Sequence, residues 1–213
     1  MQIKIKALQS VQSSRNVYHV IVKMGDLDKI LTNSVNDGSD LIHQYQRPLI
    51  PKKVEDFMDY LQGRIKNHTN FTIPNLIGCF LPDDGVKYED GELIIPDGFK
   101  IACPDGQHRL EGIKLLKDNY PTYVGDQEVG ITIFECKGFE DRQQIFADIN
   151  ANLKPVSKSQ ALEFDHTSGD ASLAKNIRSQ VPLFNEFSEK DLNKNQPSIK
   201  SLVTIYLITQ LLD

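Results

Sequence analysis

Five consecutive residues, Asp105-Gly106-Gln107-His108-Arg109, bring together a carboxylate, a glycine, an amide, an imidazole and a guanidinium. An apolar run, Phe99-Lys100-Ile101-Ala102-Cys103, precedes them and Pro104 breaks it; Leu110, Ile113 and Leu116 follow at helical spacing. The stretch reads as strand, tight turn and helix start. The first N–H groups of a helix have no internal acceptor and its dipole is positive there, so an anion is the natural ligand. Gly106 lets a backbone come close, Arg109 can grip a phosphate through paired hydrogen bonds, and His108 can donate a bond or move a proton. That is the chemistry of a polyanion site. The competing reading makes Asp105 the helix cap and leaves His108 and Arg109 on a solvated face.

A second group of polar side chains gathers at a joint between two helical patterns: Asn150, Asn152, Lys154, Ser157 and Lys158. A serine hydroxyl and unpaired N–H groups at the start of the second helix, with lysines beside them, would suit the same kind of ligand as Arg109. An ordinary connection with a cap and solvated lysines is the alternative.

The elements that must position these groups follow from periodicity. Gln2 to Val11 and Asn16 to Met24 alternate as two antiparallel strands, expected at a sheet edge. Residues 32–40 form a polar loop, and a helix starts after Pro51, with Val54, Phe57, Met58 and Leu61 on one face. Leu76 to Leu81 is a buried strand, Glu92 to Ile95 another, and Val129 to Cys136 a third; residues 121–127 read as a loop. Beyond Gly138 the period is helical, with Ile145, Phe146, Ile149 and Leu153 on one face, a further helix from Ser157, and another carrying Leu173, Ile177, Val181 and Phe184. Ser198 to Leu212 is apolar nearly all round, so it needs a covering partner. The result is a mixed α/β (α+β) fold with two tightly joined parts, residues 1–138 and a helical region over residues 139–213.

Composition bounds the rest. A net charge of -5 over 213 residues and a pI near 5.6 argue against a generally basic nucleic-acid coat. Three widely spaced cysteines, Cys79, Cys103 and Cys136, read as reduced core residues of a cytoplasmic protein, and no metal site is suggested. Acidic residues from Asp83 to Glu92 fit solvated turns better than a cation site. The N-terminus alternates instead of forming a signal core, and no run approaches the ~20 residues of a membrane-spanning helix.

The two polar clusters together resemble a known family. Asp105-Gly106-Gln107-His108-Arg109 with Glu111-Gly112, then Phe146-Ala147-Asp148-Ile149-Asn150 and Lys154-Pro155-Val156-Ser157-Lys158-Ser159, are similar to the DGQHR-domain proteins. The likeness is closest to the DndB family, regulators of DNA sulfur modification (phosphorothioation). Arg47-Pro48-Leu49 and Phe71-Thr72-Ile73-Pro74 agree, so the likeness spans Gln44 to Asp165. It implies a ParB/sulfiredoxin-like mixed sheet in which the arginine-bearing strand-turn-helix holds phosphate. Members usually continue past the point where this chain ends, which implies a truncated helical region. Gln107 stands where sulfiredoxins carry the catalytic cysteine, so sulfinic-acid reduction is not expected. Ala151-Asn152-Leu153-Lys154-Pro155 departs from the ParB Glu-Asn-x-x-Arg pattern, which argues against a CTP clamp of the usual kind.

Three functions follow from the resemblance, the chemistry of the turn and the apolar terminal segment. The first is a regulator that binds DNA at its own promoter through a local surface, with Lys154, Lys158, Lys175, Arg178, Lys190, Lys194 and Lys200 as candidates, gated by a nucleotide. The second is an NTPase using NTP with magnesium: His108 and Arg109 hold phosphates, Gly106 cradles them, and Gln107 or Asp105 orients water or metal. The third is a non-catalytic interaction module, with other proteins of a DNA-modification system or a second copy of the chain as partners.

Overall fold

The computed structural model describes residues 2–33, 48–151, 164–166 and 169–180; for Asp170, Ala174 and Arg178 it describes the backbone alone. The first two strands, β1 (Ile3–Gln12) and β2 (Arg15–Lys23), form an antiparallel hairpin closed by Ser13 and Ser14. Both serines have positive φ, 48° and 63°, as a two-residue hairpin loop with the right twist demands. A short helix α1 (Leu27–Ile30) and the two-residue strand β3 (Leu31–Thr32) come next. Pro51 opens helix α2 (Pro51–Lys66), where its missing N–H costs nothing. Strands β4 (Leu76–Phe80), β5 (Lys87–Glu89), β6 (Glu92–Ile95) and β7 (Ile101–Asp105) lead into helix α3 (Gln107–Asn119). Residues 121–127, read from sequence as a loop, begin with a one-turn helix α4 (Pro121–Val124). Strand β8 (Glu128–Glu135) and helix α5 (Phe139–Ala151) follow, and α6 (Gly169–Gln180) lies further on.

The strands form one mixed eight-stranded sheet in the order β3-β7-β4-β8-β2-β1-β6-β5. Pairs β3 with β7 and β4 with β8 are parallel; the others are antiparallel. The N-terminal hairpin therefore lies inside the sheet and not at its edge, because β1 also pairs with β6 and β2 with β8. Among the described residues the outermost strands are β3 and β5. Pro104 does not end its strand either. The register steps from Ile77 opposite Asp105 to Cys79 opposite Ala102, so one extra residue is inserted at Cys103-Pro104. A bulge is where an inner strand tolerates a residue with no N–H to give.

One face of the sheet, with Leu76, Ile131 and Ile133, packs against Leu61 of α2 and Leu110, Ile113 and Leu116 of α3, all fully buried. The two helices cross closely at Gly112, where a Cβ would sit 2.9 Å from Phe57 and 3.0 Å from the Val54 carbonyl oxygen. Cys79, Cys136 and Ile145 form a separate small cluster. Strand alternation puts it on the other face, under α5.

By its contacts the chain divides into Met1–Asn152 and Leu153–Asp213, a boundary that leaves α5 with the sheet. Within the second unit Lys175 of α6 donates to the carbonyl of Asp165 at 2.7 Å. On α6, Ala171 is fully buried, Ile177 half-buried and Leu173 exposed. The expected helix from Ser157 and the apolar segment Ser198 to Leu212 lie outside the described residues, as do Val181 and Phe184. No helix among the described residues is long and apolar enough to cross a membrane.

Candidate functional site

The turn between β7 and α3 depends on Gly106. Its φ is 97°, a left-handed conformation that glycine enters without penalty, and a Cβ there would lie 2.5 Å from Leu76. Gly106 is itself the N-cap of α3, and no side chain caps the helix. Asp105 is engaged elsewhere. The first helical bond runs from the Leu110 N–H to the Gly106 carbonyl at 2.8 Å. The N–H groups of Gln107, His108 and Arg109 precede it and have no helical acceptor.

Arg109 binds three neighbours at once. One terminal nitrogen donates to Asp105 Oδ2 at 2.9 Å, and the other donates to the carbonyls of Pro74 at 2.6 Å and Asn75 at 3.2 Å. The guanidinium thus ties the turn to the start of β4. It keeps 20% of its surface exposed, a fixed cation beside the helix start.

His108 links two helices. Its Nε2 accepts the N–H of Ile50 at 3.0 Å, and Ile50 is the N-cap of α2. The positive ends of a 16-residue and a 13-residue helix therefore meet at this ring. Burial, and then the charge of Lys53, lower the His108 pKa below its usual value. A neutral ring that accepts at Nε2 carries its proton on Nδ1, which remains a donor.

Gln107 is buried, 7% exposed, on the inner side of the turn. Its carbonyl accepts a long bond of 3.4 Å from Asn33 Nδ2, which also donates to Glu111 Oε1 at 2.7 Å; Lys114 donates to the same oxygen at 2.7 Å. Asn33 Oδ1 is buried with no partner among the described residues. Asn33 follows β3, which runs parallel to β7, so both strands deliver their C-terminal ends to this place. Ligand sites of open α/β sheets sit at such strand ends.

The structure thus brings Asp105, Gly106, His108 and Arg109 around one helix start, with Gln107 turned inward. Sequence reasoning missed Asn33, Ile50, Pro74 and Asn75. Ile50, Pro74 and Asn75 act through backbone atoms, which leave no residue-type signal; Glu111 and Lys114, by contrast, repeat the face of Gln107 at helical spacing. Asn150 turns its amide back to the Phe146 carbonyl at 2.8 Å, within its own helix. Asn152, Lys154, Ser157, Lys158, Lys190, Lys194 and Lys200 lie outside the described residues, as does the side chain of Arg178. No group of three or more metal-ligating side chains occurs among the described residues; Asp84, one of the acidic turn residues, accepts the Leu81 N–H at 2.7 Å.

Comparison with known proteins gives one match. No curated protein and no solved structure matches the chain. A family model described as DndB, DNA-sulfur modification-associated, matches residues 5–212. Since that span is nearly the whole sequence and includes both polar clusters, the chain belongs to the DndB family of DNA-sulfur modification-associated proteins.

Proposed function

We propose that this protein is a regulator of a DNA phosphorothioation system that binds DNA at its own promoter, with a nucleotide bound at the Asp105 to Arg109 turn setting its DNA affinity. The observation that carries the nucleotide part is the meeting of two helix N-termini at His108, beside a glycine N-cap and a fixed Arg109. The turn N–H groups and Arg109 receive the phosphates, and His108 Nδ1–H adds a donor. Family membership supplies the DNA-modification context. Lys154, Lys158, Lys175 and Arg178 are the proposed DNA-contacting cations on a chain of net charge -5.

Binding is favoured over hydrolysis because Asp105 is held by Arg109 and Gln107 is buried, so neither is poised to orient a water. The NTPase alternative, with magnesium, requires Asp105 to leave Arg109 when the nucleotide arrives. A steady-state phosphate-release assay on the parent protein separates the two.

The first test is thermal stability with ATP, GTP and CTP, each with and without magnesium, for the parent, His108→Ala and Arg109→Ala, with circular dichroism confirming the fold. A ligand at ~100 times its dissociation constant adds about 2.7 kcal/mol, a rise of several degrees. We expect this rise in the parent and its loss in Arg109→Ala; no rise with any nucleotide sinks the nucleotide assignment. DNA binding is tested separately by titrating promoter DNA at increasing salt, where phosphate contacts predict a steep loss of affinity. A flat salt response overturns it and leaves an interaction module.

A further inference from the structure

On β4 the residues alternate between the two faces of the sheet: Leu76 and Phe80 enter the main core, while Ile77 and Cys79 point the other way. On the neighbouring strand β8, Phe134, and Cys136 just past its end, share that second face. Cys79 is opposite Phe134 and Phe80 opposite Glu135, and the N–H of Cys136 donates to the Phe80 carbonyl at 2.9 Å. Cys136 therefore lies diagonally across from Cys79. Both are fully buried and pack in one small cluster with Ile145. The Cys136 thiol donates to the Phe134 carbonyl at 3.8 Å, and the nearness of the two sulfurs pushes the Cys79 pKa well above its usual value and that of Cys136 below it.

A buried cation acts on the pair. Arg142 of α5 is 9% exposed, its Nε has no partner among the described residues, and its charge favours the thiolate at both sulfurs. Its acidic neighbour Asp141 is engaged by Arg15 and by the Lys137 N–H. A guanidinium taken out of water is costly unless an anion compensates it. The facing thiols are the groups that can become one.

We propose that Cys136 and Cys79 form a redox-active thiol pair, a modification site at which a hydroperoxide converts them to a disulfide, with Arg142 holding the thiolate that reacts. The Cys136 thiolate attacks one peroxide oxygen, the O–O bond breaks, and Cys136 becomes a sulfenic acid as hydroxide leaves and takes up a proton. The Cys79 sulfur then displaces the sulfenic hydroxyl, the S–S bond forms and water departs. In all, two thiols lose two electrons and two protons, and hydrogen peroxide becomes two waters. Access requires the start of α5 to lift. That helix buries only Arg142 and Ile145 of its described side chains, and Gly138 just before it has nothing within 4 Å of a Cβ position. Such satellite elements open at a lower free energy than the whole fold. Cys103 is an internal control: burial pushes its pKa up to about 12, and it packs in the main core, apart from the cluster that holds Cys79 and Cys136.

The test is intact-mass and peptide analysis of the full chain after treatment with hydrogen peroxide under native conditions. The parent and Cys103→Ser are expected to lose two hydrogens with Cys79 and Cys136 in one cross-linked peptide pair. Cys136→Ser and Cys136→Ala are expected to show no loss, and Cys79→Ser to accumulate a sulfenic acid at Cys136 that a cyclic dione traps. Arg142→Met, similar in length and uncharged, is expected to slow the reaction about tenfold, the effect of one pKa unit in thiolate population. A parent that forms the cross-link only in denaturant overturns the proposal, as does oxidation that falls equally on Cys103, or an Arg142→Met rate equal to the parent's.

Discussion

His108 reports on its own surroundings through pH. Its folded pKa lies below the unfolded value of ~6.5, so the unfolded chain takes up the proton more readily and the fold loses stability as pH falls below that value. Above it the ring is neutral in both states and the effect vanishes. His108→Gln removes the titration while keeping an acceptor for the Ile50 N–H. The fall in melting temperature between pH 7 and pH 5 should be smaller in that variant; an unchanged slope would place the titration elsewhere. At Gly106 the prediction is one of strain and space together. Gly106→Ala forces a side chain into a left-handed conformation and against Leu76, for a loss of about 3 kcal/mol that urea unfolding reads directly. Arg109→Ala should also destabilise, by about 2 kcal/mol, because it frees Asp105 and takes a donor from two carbonyls. A nucleotide test on that variant therefore compares temperature shifts with its own ligand-free protein.

At the scale of elements, the hairpin loop offers a stabilising change. Ser13 and Ser14 both sit at positive φ, where Asn and Gly are the favoured pair. The double substitution Ser13→Asn with Ser14→Gly should raise stability by about 1 kcal/mol, read as a higher melting temperature. Much of the element order was legible, because β1, β2 and β8 alternate or run apolar and α2 carries Val54, Phe57, Met58 and Leu61 at helical spacing. What escaped has a common cause. β3 is two residues long and exists through β7, whose residues come some seventy positions later. Pro104 looked like a strand end because the bulge that accommodates it depends on the register with β4. The strand, turn and helix start at β7 were legible because an apolar run, Gly106 and the helical spacing of Leu110, Ile113 and Leu116 are local signals. The turn's supports were not found, since Pro74 and Asn75 offer carbonyls and Ile50 an N–H, atoms that every residue carries.

On the scale of the whole chain, the sheet order determines how the molecule can assemble. Among the described residues the strands fall into two groups, β2-β1-β6-β5 and β3-β7-β4, and β8 alone joins them. Tyr18 and Asn16 of β2 close the seam by donating to Glu135 at 3.1 and 2.8 Å; burial first, and then this carboxylate, push the tyrosine pKa up to about 12. Tyr18 and Glu135 are 117 residues apart in sequence. During synthesis, two half-sheets therefore wait with open inner edges until β8 leaves the ribosome, and exposed edges of this kind invite pairing with other chains. A chain ended at Gln127 should lack a cooperative unfolding transition and aggregate, although it retains every residue of the Asp105 to Arg109 turn. The peptide spanning Glu128 to Glu135 is thus the point at which a nascent chain commits to its fold, and supplying it in trans to the shortened chain should recover a measurable fraction of folded protein.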